Sequence, residues 1–387
     1  MELSLEVETR DKEIGLSWSL NTAPMNRSIL ILLTFVSLFT ATSAYAMSGP
    51  QAKHLYRMAA YKGSLADLAT LEAAAHSGDA EAEYYLAEFD HYDYGAAPAD
   101  VKNINTLFWL KKAAAQGLAG AENALAVAYY LGWGTQNNYA KAVYWWKKAA
   151  NQGYAIAQND LGWRYQEGHG VTKNYAKAVY WWKKAANQGY AKAEYNLGND
   201  YQKGQGVTKN YAKAAYWWKK AANQGYYMAE YNLGNDYQKG QGVTKNNAKA
   251  VYWWKKSAKQ GSGSAAEKVG VAYNLGIGVS QSYAEAFDWF HSAIAEDGSA
   301  SAETHLANAY DLGLGVQKNY VKAVYWWKMA AFQGNKVSEL MLAHAYYHGQ
   351  GVPQDIAEAV KLWKRLVAQG GGLSKLAKHN LSVVEHG

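Results

Sequence analysis

The stretch NYAKAVYWWKKAANQG, residues 138–153, decides the fold because the chain repeats it. It returns unchanged at 174–189, and at 210–225 with one difference, Ala215 in place of Val179. The spacing is 36 residues except for one step of 37, and more distant copies begin at Asn246, Ser282, Asn319 and Asp355. A fixed period of this length indicates a repeat protein, in which each repeat is one supersecondary unit that stacks on its neighbours.

Placed at about 100° per residue, the repeated stretch predicts an amphipathic helix, called helix B below. Asn138 is suited to cap its first turn, and Gly153 follows its lysine-rich end, where a left-handed residue commonly ends a helix. Trp146 falls near the centre of the apolar arc, between small alanines, whereas the lysines fall on the opposite side. We expect Trp146 in the core and Trp145 at the seam between repeats, partly covered by lysine stems.

Each helix B is preceded by a second helical segment, helix A, which ends in a glycine-rich turn, as in YAKAEYNLGNDYQKGQGV from Tyr190. The repeating unit is therefore helix A, a glycine turn, helix B and a second glycine turn. Residues 79–370 contain eight such units, namely 79–117, 118–153, 154–189, 190–225, 226–261, 262–298, 299–334 and 335–370. We expect residues 47–78 to form an N-terminal helical cap and residues 371–387 a C-terminal capping helix, since the end repeats of an array need a cover.

The pattern resembles the Sel-1-like repeat (SLR) family, relatives of the tetratricopeptide repeat proteins. In the fourth unit the matching residues are Ala191, Ala193, Leu197, Gly198, Tyr201, Gly204, Gly206, Val207, Lys213, Ala214, Trp217, Lys220, Ala221, Ala222, Gln224 and Gly225. The resemblance implies an all-α, right-handed superhelical solenoid of about eight helix-turn-helix repeats, with helix A on the concave side and helix B outside. It also implies an adaptor or scaffold, of a kind found at bacterial envelopes and in host contact.

A targeting signal stands near the N-terminus, where the chain reads MNRSILILLTFVSLFTATSAYA from Met25. A basic residue, an apolar run and an Ala-Tyr-Ala cleavage pattern predict a secretory signal peptide over residues 25–46. The apolar run is shorter than the roughly 20 residues of a normal membrane span. Residues 1–24 carry the wrong charge ahead of such a signal, so we expect Met25 to be the true start and residues 1–24 to reflect an upstream start assignment. We therefore expect an exported protein, either periplasmic or secreted.

The composition and motifs exclude several kinds of chemistry. The chain has no cysteine, which excludes disulfides, cysteine-ligated zinc and thiol catalysis, and its net charge of +7 permits acidic partners without identifying one. His344 and His348 have metal-compatible spacing, but no third ligand is evident and the motif is not H-E-x-x-H. The glycine turns lack the G-K-[ST] ending of a phosphate loop. We predict no cofactor, no metal and no catalytic residues.

Helix A carries a polar stripe opposite its core face. In the fourth unit Ala193, Leu197 and Tyr201 share the core face, and the stripe lies on the other side. Stacked units would turn the stripe into a concave strip that suits hydrogen bonding and aromatic packing to an extended peptide or glycan. The alternative is a merely solvated face. This helix A strip comprises Asn159, Trp163, Arg164, Gln166, Tyr195, Asn199, Asp200, Gln202, Tyr231, Asn235, Asp236 and Gln238.

One strip position distinguishes the middle units from the others. Before the helix A tyrosine, the third, fourth and fifth units have Arg164, Asp200 and Asp236, whereas the second, sixth, seventh and eighth units have alanine. Because this position borders the core face, a charge there is unexpected. An ion pair between Arg164 and Asp200 of adjacent units is the simpler explanation, and a polar recognition spot in the middle of the array is the alternative.

The sequence therefore predicts a monomeric, non-catalytic, exported scaffold that binds a protein or peptide partner through its concave face. No nucleic acid partner and no transmembrane span after signal cleavage are expected. One alternative is an envelope hydrolase similar to cysteine-rich relatives that act on β-lactams, although this chain lacks their cysteines. Another is a cell-wall glycan or polyanion binder that uses the basic helix B stripe of Lys141, Tyr144, Lys148 and their equivalents.

Overall fold

The computed structural model describes residues 47–91 and 99–386. The predicted signal peptide, 25–46, and residues 1–24 lie outside the described residues. The described part of the chain consists of nineteen α-helices joined by turns, without a strand. It divides between Gln116 and Gly117 into two compact units.

The first unit contains four helices, α1 (Gly49–Lys62), α2 (Leu65–His76), α3 (Ala80–His91) and α4 (Ala99–Ala115). Helix α3 packs against α1, α2 and α4. The buried Glu83 of α3 forms an ion pair with Lys112 of α4, at 3.3 Å between Nζ and Oε1, and accepts a hydrogen bond from Gln116. An ion pair to a buried carboxylate thus joins α3 to α4.

The second unit is a row of fifteen helices in which A and B helices alternate. They are α5 (Ala119–Leu131), α6 (Tyr139–Asn151), α7 (Ala155–Glu167), α8 (Tyr175–Asn187), α9 (Ala191–Lys203), α10 (Tyr211–Asn223), α11 (Tyr227–Lys239), α12 (Asn247–Ala258), α13 (Gly263–Leu275), α14 (Tyr283–Asp297), α15 (Ala300–Leu312), α16 (Tyr320–Phe332), α17 (Lys336–His348), α18 (Ile356–Gln369) and α19 (Gly372–His386). Each helix packs chiefly against its neighbours in sequence, as expected for a solenoid, and α19 packs against α17 and α18. The all-helical tandem-repeat prediction is confirmed.

The two tryptophans of helix B lie in different places. Trp146 of α6 is 2% exposed, and its equivalents are also buried, namely Trp182, Trp218, Trp254, Trp327 and Trp363. Trp145 is half-buried, and the ammonium of Lys148 lies 4.6 Å from the centre of its ring. The prediction of a core tryptophan beside a seam tryptophan covered by lysine is therefore confirmed. Two seam equivalents, Trp181 and Trp253, are buried more deeply than Trp145.

Two glycines of the fourth repeat are required by close approach. Gly198 lies inside α9, and a Cβ there would strike the indole of Trp218 in the same repeat. Gly206, with φ of 66°, belongs to the turn after α9, and a Cβ there would strike the Tyr175 carbonyl at the start of the preceding helix B. The first glycine seats the core tryptophan, and the second lets each turn dock on the repeat before it.

A buried glutamate ties helix A to helix B within a repeat. Glu194 of α9 is buried, its Oε1 lies 3.1 Å from Lys220 Nζ, and its Oε2 accepts a 2.7 Å hydrogen bond from Gln224. The lysine and the glutamine both come from α10, so one ion pair and one hydrogen bond compensate the buried charge. The same arrangement recurs at Glu122 with Lys148 and Gln152, and at Glu230 with Lys256 and Gln260.

Other repeats vary this tie. In the third repeat Gln158 replaces the glutamate and accepts a hydrogen bond from Gln188. In the seventh repeat Met329 stands in place of the lysine, so Glu303 keeps only the hydrogen bond from Gln333. Burial accordingly raises the pKa of Glu303, and the Gln333 hydrogen bond opposes this only in part.

Candidate functional site

The helix A strip lies on α7, α9 and α11, the A helices of three consecutive repeats. Three of its twelve residues, Asn159, Asp200 and Asp236, are buried. The other nine are half-buried, so none of the twelve is fully exposed. The strip is therefore more enclosed than a merely solvated helix face.

Side-chain amides connect the strip from one repeat to the next. Asn196 Nδ2 of α9 donates to Asn159 Oδ1 of α7 at 3.1 Å, and Asn159 Nδ2 donates to Asp160 Oδ1 at 3.1 Å. One repeat further, Asn232 Nδ2 of α11 lies 3.5 Å from Asn199 Oδ1 of α9. Asn159 and Asn199 thus hold consecutive A helices together, which leaves less of each amide to meet a partner.

Strip residues also contact the core tryptophans. Trp182 Nε1 donates to the Asn159 carbonyl at 3.0 Å, and Trp254 Nε1 donates to Asn235 Oδ1 at 3.2 Å. Trp163 meets Trp182 edge to face, with 5.7 Å between ring centres. Contacts with the core tryptophans therefore position these strip residues in the free protein.

A row of tyrosines borders the strip. Tyr154, Tyr190 and Tyr226 are half-buried and immediately precede α7, α9 and α11. The rings of Tyr195 and Tyr226 lie 5.2 Å apart. Burial raises the pKa of Tyr190 and of Tyr226, and the nearby Asp160 carboxylate adds to the effect at Tyr190. The three middle repeats thus present neighbouring phenol groups beside carboxamides.

The charged position of the middle repeats does not form the expected ion pair. The guanidinium of Arg164 lies 4.2 Å from the Tyr130 ring centre and 5.2 Å from that of Trp146, both in the preceding repeat. Asp200 Oδ2 has no hydrogen-bond partner in the described part of the chain. The prediction of an Arg164–Asp200 ion pair is therefore wrong. Arg164 stacks on aromatic rings of the preceding repeat and does not contact the carboxylate of the following repeat.

The two buried aspartates have altered acidity. Burial raises the pKa of Asp200 to about 7, and the charge of Lys203 opposes this only in part. Burial likewise raises the pKa of Asp236 to about 7, with Lys239 in the opposing role. An unpaired carboxyl group at such a depth is more stable in its neutral form. Around neutral pH, both side chains change charge inside the array.

Sequence reasoning missed several members of this face. Asp160, Asn196 and Asn232 carry the connecting hydrogen bonds, and Tyr190 and Tyr226 line the border, but none belongs to the predicted strip. The sequence did contain a signal for the connecting residues, because the residue before the helix A leucine carries a carboxylate or carboxamide in three consecutive repeats. Their position in the helical repeat, next to the core leucine, assigned these three residues to the core face and not to the strip.

Helix B offers a second recurrent surface. A tyrosine stands at its outer face in five repeats and is 50–57% exposed in each, at Tyr144, Tyr180, Tyr216, Tyr252 and Tyr325. Lysines flank these rings, but Lys148, Lys220 and Lys256 are already paired with buried glutamates. The free positive charge of this face is therefore smaller than the sequence suggests.

His344 and His348 gain no further metal ligand in the part of the chain that the structure describes. Within residues 47–91 and 99–386 no group of three or more histidines, aspartates or glutamates could hold a metal ion. His344 meets Asn380, at 2.8 Å between Nε2 and Nδ2, and its ring centre is 6.5 Å from that of His348. No helix in the described part of the chain is long and apolar enough to cross a membrane.

Comparison with known proteins gives the relatives of the chain. The Sel1 repeat family model matches nine segments, 49–64, 80–118, 119–154, 155–190, 191–226, 228–262, 263–297, 300–335 and 337–371. The chain is similar to a protective antigen present in uropathogenic Escherichia coli strains that displays an SLR fold, with 34% identity, a TM-score of 0.76 and coverage of 81% of this chain. It spans 66% of that protein's length.

A second solved structure resembles the chain along almost all of its length. This Sel1 repeat protein from Oxalobacter formigenes is 28% identical, has a TM-score of 0.60, and the match covers 92% of this chain and 99% of the other. No curated protein matches the sequence. The predicted family is thus confirmed by the family model and by two solved structures.

Proposed function

The chain belongs to the Sel1 repeat family, whose solenoids are generally protein-interaction scaffolds without catalysis, and from this premise we propose that it binds a protein or peptide partner through the helix A strip. The observation that carries the proposal is the row of tyrosines and carboxamides on α7, α9 and α11. Tyr195 and Tyr231 are half-buried, so each could add further burial against a partner at low entropic cost.

The free amides of the strip support a peptide ligand. Gln202 and Gln238 are half-buried at equivalent positions of adjacent repeats, and neither makes a hydrogen bond within the described residues. A carboxamide offers both a donor and an acceptor, so it can pair with a peptide unit of an extended chain. Two such groups at the repeat spacing, beside aromatic rings, suit an extended segment better than a globular surface.

The test begins with capture of partners from an envelope extract by residues 47–387 and their identification by mass spectrometry. The affinity of the captured partner is then measured for the double variant Tyr195→Ala/Tyr231→Ala, with Tyr216→Ala on the outer face of helix B as the matched control. We expect at least tenfold weaker binding for the strip variant and unchanged binding for the control, with helical content preserved in both. Equal binding by all three proteins would contradict the proposal.

We also propose that the protein is exported and acts in the periplasm or outside the cell. Support comes from the signal-type segment at residues 25–46 and from the similarity to a protective antigen, which suggests host contact. N-terminal sequencing of the mature protein is expected to start at Met47. Recovery of the exported protein with Met1 retained would count against this proposal and against Met25 as the start.

A second candidate function rests on the exposed tyrosines of helix B. Four rings at one position of consecutive B helices and a fifth on α16, beside lysines such as Lys147 and Lys219, suit an acidic glycan chain. Binding to such a polyanion should weaken steeply between low and moderate salt. Binding through the helix A strip should respond little to salt, so a salt titration of partner binding distinguishes the two surfaces. Neither candidate involves catalysis, and turnover of an envelope substrate that one substitution abolishes would contradict both.

A further inference from the structure

The junction between α14 and α15 departs from the repeat pattern at two positions. Phe290 of α14 stands where the other B helices, α6 to α18, have the core tryptophan. Ala309 of α15 stands where α7, α9 and α11 have Arg164, Asp200 and Asp236. Alanine also occupies this position at Ala272 and Ala345, but a tryptophan precedes each of them. Among helices α6 to α18, only this junction has a smaller residue than tryptophan followed by alanine at these two positions.

The space that they leave is a cavity of about 160 Å³. Its lining includes Phe287, Phe290, His305, Asn308, Ala309 and Leu312. Leu312 is 62% exposed, so the cavity reaches the surface beside it. An apolar cavity of about 150 Å³ is large enough for a benzene ring.

One wall of the cavity is aromatic and rigid. The rings of Phe290 and His305 are stacked, with 4.5 Å between centres and 9° between planes. Burial lowers the pKa of His305, so its imidazole is neutral at neutral pH. No aspartate, glutamate, lysine or arginine lines the cavity. Such a wall favours an uncharged flat ring over an aliphatic or ionic group.

Asn308 is the polar group of the cavity beside the aromatic wall, and Asn274 and Tyr283 also line the space. Asn308 Oδ1 accepts a 3.1 Å hydrogen bond from Trp327 Nε1, which fixes the orientation of the carboxamide. Asn308 Nδ2 makes no hydrogen bond within the described residues, although the side chain lines the cavity. A ligand oxygen at the ring edge would satisfy this donor.

We propose that the α14–α15 cavity binds an uncharged single-ring aromatic molecule that carries one oxygen acceptor, of the chemical class of the phenols. The ring packs against the Phe290–His305 wall, and the oxygen accepts a hydrogen bond from Asn308 Nδ2. The site is distinct from the helix A strip of α7, α9 and α11 and does not depend on the function proposed for that strip.

The probe for the test is phenol, titrated into the full chain by calorimetry and followed by protein-observed NMR. We expect saturable binding at one site, weaker binding of benzene, and a loss of at least tenfold in phenol affinity for Phe290→Trp, which fills the cavity. Phe332→Trp is the matched control, because Phe332 is 91% exposed and is not among the lining residues, and it should bind phenol as the natural protein does.

Ala309→Leu fills the same space from α15 and keeps the test informative if Phe290→Trp fails to fold. Because both variants fill a void, their melting temperatures should equal or exceed that of the natural protein. Phenol affinity unchanged in a folded Phe290→Trp or Ala309→Leu variant would overturn the proposal. So would non-saturable binding of phenol to the natural protein.

Discussion

Lys220 of α10 lies 3.1 Å from the fully buried carboxylate of Glu194 in α9, and this pair ties the two helices of the fourth repeat. Removing one partner of a buried pair leaves the other charge without compensation, which costs more than the pair itself contributes. The seventh repeat has Met329 at the lysine position, and there burial raises the pKa of Glu303.

We expect Lys220→Met to lower the free energy of unfolding by about 1–3 kcal/mol, since Gln224 still binds the carboxylate. The double variant Glu194→Gln/Lys220→Met should recover most of this loss. Urea unfolding provides the measurement, and Lys219→Met, at the exposed neighbouring position, is the control. A double variant as unstable as Lys220→Met would show that the buried charge is not the cause.

The two tryptophans of α10 should differ in their contribution to stability. Trp218 is 1% exposed and fills the space above Gly198, whereas Trp217 is half-buried under Lys220. Trp218→Ala should cost about 3–5 kcal/mol, the usual penalty for truncating a buried tryptophan. Trp217→Ala should cost clearly less. Equal losses in a denaturant series would contradict the division between core and seam.

Asp200 should make stability depend on pH. Its pKa is about 7 in the folded chain and lies near its ordinary value in the unfolded chain, so the unfolded state loses this proton first. The stability linked to this group is therefore complete at pH 4 and is lost as the pH rises through 7. Asp200→Asn should match the natural protein at pH 4 and exceed it by about 1–3 kcal/mol at pH 8.

The measurement is the melting temperature of both proteins between pH 4 and 8. Asp236→Asn should repeat the effect in the next repeat, because burial raises its pKa to about 7 as well. A stability difference that stays constant across this range would show that the carboxyl groups do not titrate in the folded chain.

Gly206 should tolerate alanine less well than Gly189. Both have positive φ, 66° and 81°, but only Gly206 approaches the Tyr175 carbonyl, whereas space is open around Gly189. Gly189→Ala should cost about 1–2 kcal/mol, the strain of a left-handed alanine. Gly206→Ala adds a backbone clash between repeats and should cost more. Thermal unfolding of the pair measures the difference, and similar melting temperatures would show that the turn does not dock on the preceding repeat.

Much of the fold could be predicted because the sequence within each repeat determines the helices of that repeat. The 36-residue period, the Asn138 cap and the alternation of alanine with Trp146 specify helix B locally, and Asn138 Oδ1 does accept from the Lys141 amide, at 2.9 Å. Helical phase also separated Trp146 from Trp145, because burial within one repeat follows from its own pattern.

The helix A strip could be predicted only in part, because its side chains depend on the adjacent repeats. Equivalent positions such as Arg164 and Asp200 are separated by a whole repeat, and Arg164 turns towards the repeat before it. The amides of Asn159 and Asn196 meet across two repeats, which no periodicity within one helix shows. The cavity at Phe290 likewise depends on two positions in different helices. The binding role of the strip stays a prediction.

The docking of each glycine turn on the carbonyl before it has an evolutionary consequence. Residues 174–209 and 210–245 differ at only three positions. The contacts that each block makes with the preceding and following repeats are therefore nearly the same. Recombination that duplicates or deletes one such block would preserve the helix register and recreate the Gly206–Tyr175 contact at the new boundary. Evolution can therefore change the number of repeats by whole units in this part of the chain while keeping the contacts at these junctions.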